Sequence, residues 1–292
     1  MSVCVAVVLS LAQTSFGGSA NDERVVAIDA QIQAKYKLAP FYGKMLIAEG
    51  LIFTCSNKVA DAALTEASQI VAAMLADNPA ARQAMADAAV RIVVMAPTEM
   101  TTEIPEHAHL KPRDYWDRRA RGLGWSPEAP IVSCGEENLL AYPGDPYVAE
   151  SILIHEFAHA VQSVAMARLT PSFEDRLNAA YEAAIDARLW EETYAATNPL
   201  EYWAEGTQTW FHANAGEGPI HNAIDTRAEI KAYDPRLSKL LAEAYGDRQW
   251  RYKPPNRRSS PPIDYERAPT FAWPMRLVNL NLDAIAPANG RE

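Results

Sequence analysis

The sequence predicts an α+β protein, with a mixed sheet in the N-terminal half and a mainly helical C-terminal half. Three observations support this class: β-tolerant apolar runs cluster before residue 145, helix-start signals recur after it, and the composition is that of a globular chain. Hydrophobic residues make up 49% and charged residues 22% of the 292 residues. This balance excludes a disordered or collagen-like chain and allows one large core.

Apolar runs bounded by turn-forming residues indicate the strands of the N-terminal half. They lie at residues 45–55 around one glycine, 91–95, 131–134 and 138–142. Apolar residues at helical spacing predict helices over residues 61–76 and from Pro79 to about residue 89. The segment 98–130 is dense in proline, glycine and charge, which predicts long loops with one short helix near residues 115–121. His107 and His109 are expected in a solvated part of these loops.

Three helix-start signals follow residue 145. Residues 145–169 open on an Asp-Pro pair, an N-cap acceptor followed by proline at the first helical position, and residues 171–196 open on Pro-Ser. A third helix opens on Asn198-Pro199 and should end before residue 216. Glu201 stands three residues after Asn198, in the position of a capping-box glutamate.

The first twenty residues are typical of a secretory signal peptide. They carry no charge and contain an apolar run of about ten residues before Gly18-Ser19-Ala20. We therefore expect a signal peptide at residues 1–20, a single domain over 21–292 with a C-terminal extension from about residue 253, and a secreted or periplasmic location. No later run reaches the roughly 18 apolar residues of a transmembrane segment. The net charge of −10 argues against nucleic acid as a partner.

Two cysteines would remain after cleavage of the signal peptide. Cys55 and Cys134 could form one disulfide in an oxidising compartment, or stay as two buried thiols. Their spacing matches neither a zinc knuckle nor a redox pair.

The motif His155-Glu156-Phe157-Ala158-His159 indicates the chemistry of this chain. On a helix, four residues turn through about 400° and rise about 6 Å, so both histidines lie on one face a single turn apart. Their imidazoles can bind one zinc ion, and Glu156 is placed to take the proton of a metal-bound water. The sequence thus predicts one Zn²⁺ per chain with Glu156 as the catalytic base.

A catalytic zinc usually has a third protein ligand. Position 165 is alanine, which excludes the third histidine of a metzincin. The predicted helix from Asn198 places Glu201 and Glu205 one turn apart among aromatic residues. Because capping accounts for Glu201, Glu205 is the predicted third ligand. Glu201 is the alternative ligand, or a carboxylate that supports a ligand imidazole.

This pattern resembles the gluzincin metallopeptidases, and most of all the catalytic domains related to anthrax lethal factor. The resemblance rests on the HExxH motif and on a helical Tyr-Trp-Ala-Glu whose glutamate follows His159 by 46 residues, and it covers about residues 131–211. It implies a zincin-like fold with the zinc site on the active-site helix and the substrate along an edge strand above the zinc. Residues 131–142 stand in the matching place for that strand.

The resemblance also implies a helper for the transition state. In that family a tyrosine seven residues before the glutamate ligand has this role, whereas this chain has Asn198 seven residues before Glu205. The helper must then come from elsewhere in the chain. The candidates are Tyr194, Tyr202, His212 and His221.

The expected function is that of an exported zinc-dependent metallopeptidase acting on a peptide or protein substrate. Two alternatives stay open: a zinc hydrolase for a non-protein amide or a glycan-linked substrate, and a non-catalytic secreted binding protein on a zincin scaffold. Aromatic residues of the C-terminal half could line a sugar-binding wall, although such residues at helical spacing are more often core. They are Trp190, Tyr194, Trp203 and Trp210.

Overall fold

Six strands form one mixed sheet in the computed structural model, which describes residues 24–287. They are β1 (Val26–Ala27), β2 (Lys44–Ala48), β3 (Leu51–Cys55), β4 (Arg91–Met95), β5 (Gly122–Leu123) and β6 (Ile131–Gly135). Their order across the sheet is β1-β2-β3-β4-β6-β5, with β3, β4 and β6 parallel and the other pairs antiparallel. The strands predicted at residues 45–55, 91–95 and 131–134 are confirmed, and the predicted signal peptide lies outside the described residues.

Glu49 and Gly50 close the hairpin between β2 and β3. Their φ angles are 51° and 81°, and Ala48 pairs with Leu51 across the turn. A two-residue turn with positive φ at both positions matches the twist of the flanking strands, and glycine adopts this conformation without a Cβ clash. The single glycine in the predicted strand region is therefore the turn that divides it.

Helices cover the sheet and build most of the C-terminal half. They are α1 (Ala30–Tyr36), α2 (Asp61–Met74), α3 (Pro79–Asp87), α4 (Arg113–Arg119), α5 (Glu136–Leu139), α6 (Ile152–Ala160), α7 (Ala167–Leu169), α8 (Phe173–Asp186), α9 (Pro199–Trp210), α10 (Arg227–Tyr233), α11 (Pro235–Tyr245), α12 (Met275–Val278) and α13 (Leu282–Ile285). A π-helix, Val161–Met166, links α6 to α7. The α+β class with a mixed sheet is as the sequence predicts.

Both faces of the sheet are buried, as β4 illustrates. Ile92 and Val94 belong to the main core, whereas Val93 and Met95 belong to a smaller cluster on the other face. Alternate residues of a strand point to opposite faces, so a strand covered on both sides is apolar throughout. Helices α2 and α6 pack against the sheet, and α9 packs against α6. The main core thus joins the sheet to the helical half.

The edge strand of the sheet beside α6 is not the segment that the sequence predicts. β6 lies between β4 and β5, so the edge strand beside α6 is β5 and not the segment 131–142. Residues 136–139 of that segment form helix α5 instead of a strand. The apolar run was too short to separate a buried helical turn from a strand by its periodicity.

Two helix boundaries also differ from the expectation. α6 begins at Ile152 and not near residue 146, because Asp145 accepts a hydrogen bond from Tyr147 N in a turn (2.9 Å). Asn138 Oδ1 accepts from Ile152 N (2.8 Å) and so provides a distant side-chain acceptor at the helix start. α8 ends at Asp186, ten residues before the predicted end, and the chain then turns through positive φ at Trp190.

His107 is buried rather than solvated. Its side chain is 2% exposed, and Nε2 lies 3.0 Å from Ser133 Oγ on β6. Burial lowers the pKa of His107 to about 4, so the imidazole is neutral at pH 7. His107 therefore belongs to the packing of the loop region against the sheet.

Cys55 and Cys134 are both free thiols in the core. They flank Val94 on β3 and β6, which places their backbones two strand spacings apart, about 10 Å. A disulfide requires Cα atoms within about 7 Å. Of the two states considered from the sequence, the structure has two buried thiols, and burial raises the pKa of Cys55 to about 12.

The C-terminal segment from residue 253 packs along the domain. Phe271 N donates to Pro143 O (2.8 Å), Leu277 is fully buried, and Arg276 pairs with Asp117 (2.8 Å). These contacts anchor the segment to α4 and to the loop before α6. Within residues 24–287, no helix combines the length and apolar character needed to cross a membrane.

Candidate metal centre

Helix α6 presents the HExxH residues to a cleft and its apolar residues to the core. Leu153, Ile154 and Phe157 are fully buried, whereas His155, Glu156 and His159 line the cleft. The two imidazole rings lie 5.1 Å apart between centroids. The predicted one-turn spacing therefore holds in the structure.

Helix α9 brings a carboxylate to these rings. Asn198 Oδ1 accepts from the backbone N–H groups of Leu200 and Glu201, both at 2.9 Å, and thereby caps the helix. The Glu201 side chain does not cap. Its Oε2 lies 3.0 Å from His155 Nε2 and 3.8 Å from His159 Nε2. Capping therefore does not account for Glu201, contrary to the expectation from the sequence.

His155, His159 and Glu201 together offer three ligand atoms within 4.8 Å of one another. Among residues 24–287, no fourth His, Cys, Asp or Glu joins this group. Zinc sites with three protein ligands are characteristic of catalysis, whereas structural sites close with four. The group can hold one metal ion and leave a position open.

Glu205 lies on the other side of His155. Its Oε1 is 3.5 Å from His155 Nδ1, and its Oε2 is 3.0 Å from His221 Nδ1 and 3.3 Å from Asn214 Nδ2. The structure thus brings Glu201, and not Glu205, to the nitrogen atoms that face the cleft. Glu205 is instead part of a polar network with His221 and Asn214 on the Nδ1 side of the ring.

Gln208 orients the His155 ring. Its Oε1 lies 2.9 Å from His155 Nδ1 and is an acceptor, so it favours a proton on Nδ1 and leaves Nε2 for a metal. Glu201, Glu205 and Gln208 follow the spacing i, i+4, i+7, which is one face of a helix. This spacing is the signal by which Gln208 could have been found from the sequence.

Two of the three candidate ligand residues, His159 and Glu201, are in the protonation state that binds a cation, whereas His155 must lose a proton. Burial and the neighbouring His155 charge lower the pKa of His159 to about 4, so its ring is neutral at pH 7. Burial of Glu201 opposes ionisation, but its hydrogen bond to His155 and the charges of both histidines lower its pKa to about 2. Burial of His155 likewise disfavours its charge, and the hydrogen bond to Glu201 with the surrounding glutamates raises its pKa to about 10. A metal ion would replace the His155 Nε2 proton beside an ionised carboxylate.

Glu156 stands next to this group and is held from the sheet edge. Its carboxylate accepts a hydrogen bond from the backbone N–H of Gly124, just after β5. Burial raises the pKa of Glu156 to about 7, against the lowering effect of the His155 charge. A carboxyl group with a pKa near neutrality can both accept and return a proton.

Of the four candidate helper residues, Tyr194 lies among the candidate ligand side chains. Its hydroxyl hydrogen-bonds to Glu201 and accepts from Arg119 NH2 (3.2 Å), and its ring stacks on His155 with centroids 6.2 Å apart. Tyr202 is fully buried and donates to Asp234 (2.5 Å). The two remaining candidates engage other partners: His212 contacts Arg251 Nε (3.1 Å), and His221 contacts Glu205.

A cleft of about 940 Å³ surrounds the site. β5 runs along it, and two glycines let this strand approach α6. A Cβ on Gly122 would lie 2.5 Å from the Ile152 side chain, and one on Gly124 would lie 2.9 Å from His159 Cβ. Any larger residue at these positions would push the sheet edge away from the histidines.

Of the four aromatic residues considered for a sugar-binding wall, only Tyr194 lines this cleft. Trp190, Trp203 and Trp210 are 2%, 0% and 0% exposed. Trp203 Nε1 donates to Ala158 O (2.8 Å), which ties α9 to α6. This hydrogen bond joins the two helices that carry the site.

Comparisons with known proteins show a distant likeness among solved structures. No family model and no curated protein matches this chain. Among solved structures, the chain is similar to the Pro-Pro endopeptidase of Paenibacillus alvei, with 18% sequence identity and a TM-score of 0.46. The similarity covers 65% of this chain and 96% of that one. A likeness at this level transfers no activity, so the functional argument rests on the site itself.

Proposed function

We propose that this chain is an exported zinc metallopeptidase of the gluzincin type, with His155, His159 and Glu201 as the zinc ligands. The observation that carries the proposal is the convergence of their three ligand atoms within 4.8 Å, next to the half-buried Glu156. In this assignment Glu201 replaces Glu205, the ligand expected from the sequence.

The donor set fits zinc. Two imidazoles and one carboxylate are a common ligand set of catalytic zinc, and this set contains no thiolate that would favour a structural site. His155 has the outer-shell acceptors that ligand imidazoles usually have, here Gln208 Oε1 at 2.9 Å and Glu205 Oε1 at 3.5 Å. A zinc ion bound here supplies a Lewis acid that polarises the scissile carbonyl and acidifies a water molecule.

Glu156 carries the proton in the proposed hydrolysis. It accepts a proton from the attacking water as the water oxygen bonds to the carbonyl carbon. It then donates this proton to the leaving nitrogen as the C–N bond breaks, so the carboxylate is regenerated. The hydrogen bond from Gly124 N–H holds one side of the carboxyl in place during both steps.

Tyr194 supplies the hydroxyl that stabilises the developing oxyanion in this proposal. It stands seven residues before Glu201, which is the spacing of the helper tyrosine in the family that the sequence resembles. The contact with Arg119 positions the hydroxyl at the cleft. Counted from Glu205, the residue seven positions earlier is Asn198. Tyr194 has this spacing only when Glu201 is taken as the ligand.

Replacement of Tyr194 by phenylalanine is expected to lower kcat about 100-fold with little change in KM or zinc content. One oxyanion donor contributes about this much, and it acts mainly in the transition state. Steady-state kinetics measure the effect. Tyr147→Phe is the matched control, since this cleft tyrosine donates to the backbone oxygen of Arg119 (3.1 Å) and should lose less than about tenfold. Equal losses in both variants would contradict the assigned role.

The edge strand favours a peptide over the alternative substrates. The outer side of β5 can pair with an extended peptide main chain, which is how peptide strands add to sheet edges. A glycan-linked substrate would profit from exposed aromatic rings, and the three tryptophans considered for such a wall, Trp190, Trp203 and Trp210, are buried in the core. The tryptophans that line the cleft are Trp116 and Trp125, from the loop region before α6. A metal that served only structure in a binding protein would be expected to have a fourth protein ligand.

The test combines metal analysis with a cleavage screen. The purified chain should contain about one zinc per molecule and cleave members of a peptide library, as read by mass spectrometry. Removal of zinc with a chelator should abolish cleavage, and added zinc should restore it. A chain that binds no zinc after reconstitution would contradict the proposal. Zinc-loaded protein that cleaves no peptide would contradict the peptidase assignment but leave the metal site standing.

A further inference from the structure

Two polar groups on the cleft wall have no partner. Among residues 24–287, six buried side-chain nitrogen or oxygen atoms lack a hydrogen-bond partner, and two of them belong to cleft residues. These two are Nε1 of Trp125 and Oε1 of Gln162. Buried polar groups without partners cost free energy, so a pair of them at a candidate active site points to a ligand that satisfies them.

The helix geometry directs Gln162 toward the cleft. It follows His159 by three residues, so the two side chains share a helix face. The π-helix Val161–Met166 begins at this point, and such insertions often re-aim side chains at functional sites. Gln162 is 5% exposed. The neighbouring Ser163 is already satisfied, because its hydroxyl donates to His159 O (2.6 Å).

Trp125 reaches the same region from the sheet edge. The chain passes directly over His159 at Gly124, where an added Cβ would lie 2.9 Å from the histidine Cβ, and Trp125 is the next residue. Its indole N–H is an unpaired donor, whereas Gln162 Oε1 is an unpaired acceptor. An unpaired donor and an unpaired acceptor thus belong to two cleft-lining residues that are close in sequence to residues packed at His159.

The chemistry of this pair selects a neutral group that both accepts and donates. A substrate ammonium group would leave the indole N–H unpaired, and a substrate carboxylate would leave Oε1 unpaired. A carboxylate would also meet the acidic lining of the cleft. Its glutamates are Glu150, Glu156, Glu174, Glu201 and Glu205, against the cations Arg119 and Arg121. A carboxamide supplies an N–H donor for Gln162 and a carbonyl acceptor for Trp125.

We propose that Trp125 and Gln162 form a specificity subsite that binds a carboxamide of the substrate on the His159 side of the metal. The carboxamide comes from a glutamine or asparagine side chain, or from a main-chain peptide group. This inference rests on the proposed function, because it assumes a substrate held across the zinc.

Peptide hydroxamates provide a test that does not depend on cleavage. The hydroxamate group of each compound binds zinc, and the residue beside it is either glutamine or the near-isosteric methionine. Two series are made, one with this residue on the N-terminal side of the hydroxamate and one with it on the C-terminal side. A third member of each series keeps glutamine but replaces the adjacent main-chain amide by an ester. Dissociation constants are measured by calorimetry on zinc-loaded wild type and on Gln162→Met and Trp125→Phe.

In one series, wild type should bind the glutamine compound about tenfold more tightly than the methionine compound, and Gln162→Met should reduce this ratio to about one. If the main chain supplies the carboxamide, the ester compound should bind wild type more weakly than the matching amide compound. Gln162→Met should then bind the ester and the amide equally. Trp125→Phe should reduce the same ratio. The melting temperature distinguishes a role of Gln162 in substrate binding from a role in stabilising the fold. Because Gln162 Oε1 has no hydrogen-bond partner to lose, Gln162→Met should melt at the wild-type temperature or above it.

Two results would overturn the subsite. One is an equal response of wild type and Gln162→Met to every compound pair, and the other is a lower melting temperature of Gln162→Met together with loss of zinc. Zinc content of the same preparations distinguishes this failure from that of the proposed function. Absence of zinc from wild type contradicts both, whereas zinc-loaded protein without Gln162-dependent discrimination overturns the subsite alone.

Discussion

Replacement of Glu156 by glutamine is expected to lower kcat/KM about 10³-fold or more while the protein keeps its zinc. Glutamine has nearly the same shape but cannot take a proton from water or return one to the leaving nitrogen, and such proton transfer contributes about 10² to 10⁴. Glu156 is not among the three residues whose ligand atoms converge. Single-turnover cleavage of a peptide from the library screen and elemental analysis measure the two quantities.

Glu174→Gln is the matched control for this variant. Glu174 also lines the cleft, but it is an exposed carboxylate on α8 that lies outside the converging ligand group. Its replacement makes the same change of charge in the same cleft, so a loss of long-range attraction would appear in both variants. Activity of Glu156→Gln within tenfold of wild type would exclude Glu156 as the base.

Replacement of Glu201 by alanine is expected to weaken zinc binding far more than replacement of Glu205. Glu201 Oε2 lies 3.0 Å from His155 Nε2, on the side where the candidate ligand atoms converge, so its loss removes one of the three proposed ligands. Glu205 contacts His155 only through Nδ1, and loss of such an outer partner typically costs 10- to 100-fold in metal affinity. We expect more than 100-fold for Glu201→Ala and at most about 100-fold for Glu205→Ala.

Competition with a fluorescent zinc chelator measures both affinities on one scale. Glu201→Gln is a useful second variant, because it keeps the size of the side chain and removes the charge. Thermal unfolding of the zinc-free proteins shows whether either change disturbs the fold itself. Stoichiometric zinc in Glu201→Ala combined with its loss in Glu205→Ala would restore the ligand set first expected from the sequence.

The local parts of the fold could be predicted from the sequence. β4 has the predicted bounds, and α9 begins at Pro199 as its Asn-Pro signal indicates. Both elements depend on neighbouring residues, through β-branched packing in one case and capping in the other. The position of β5 could not be predicted, because two residues carry no periodicity and only pairing with β6 defines the strand.

The candidate site likewise has one part that local sequence sets and one part that depends on tertiary packing. HExxH is a local motif, so helix geometry alone placed His155, Glu156 and His159 on one cleft-facing side of α6. The choice between Glu201 and Glu205 depends on how α9 crosses α6, which the buried contact of Trp203 with Ala158 helps to set. One helical turn separates the two glutamates, and that turn decides which nitrogen of His155 each one meets.

The sequence by itself therefore determined the α+β class and the helix that carries the two histidines, and it predicts zinc chemistry with Glu156 as base. Tertiary structure alone decided that Glu201 and Tyr194 approach these histidines, that β5 is the sheet edge, and that Cys55 and Cys134 stay apart on either side of Val94. The physical reason is the sequence separation over which each interaction acts. Capping and periodicity act within a few residues, whereas side chains 46 residues apart meet only when packing sets the angle and register of two helices.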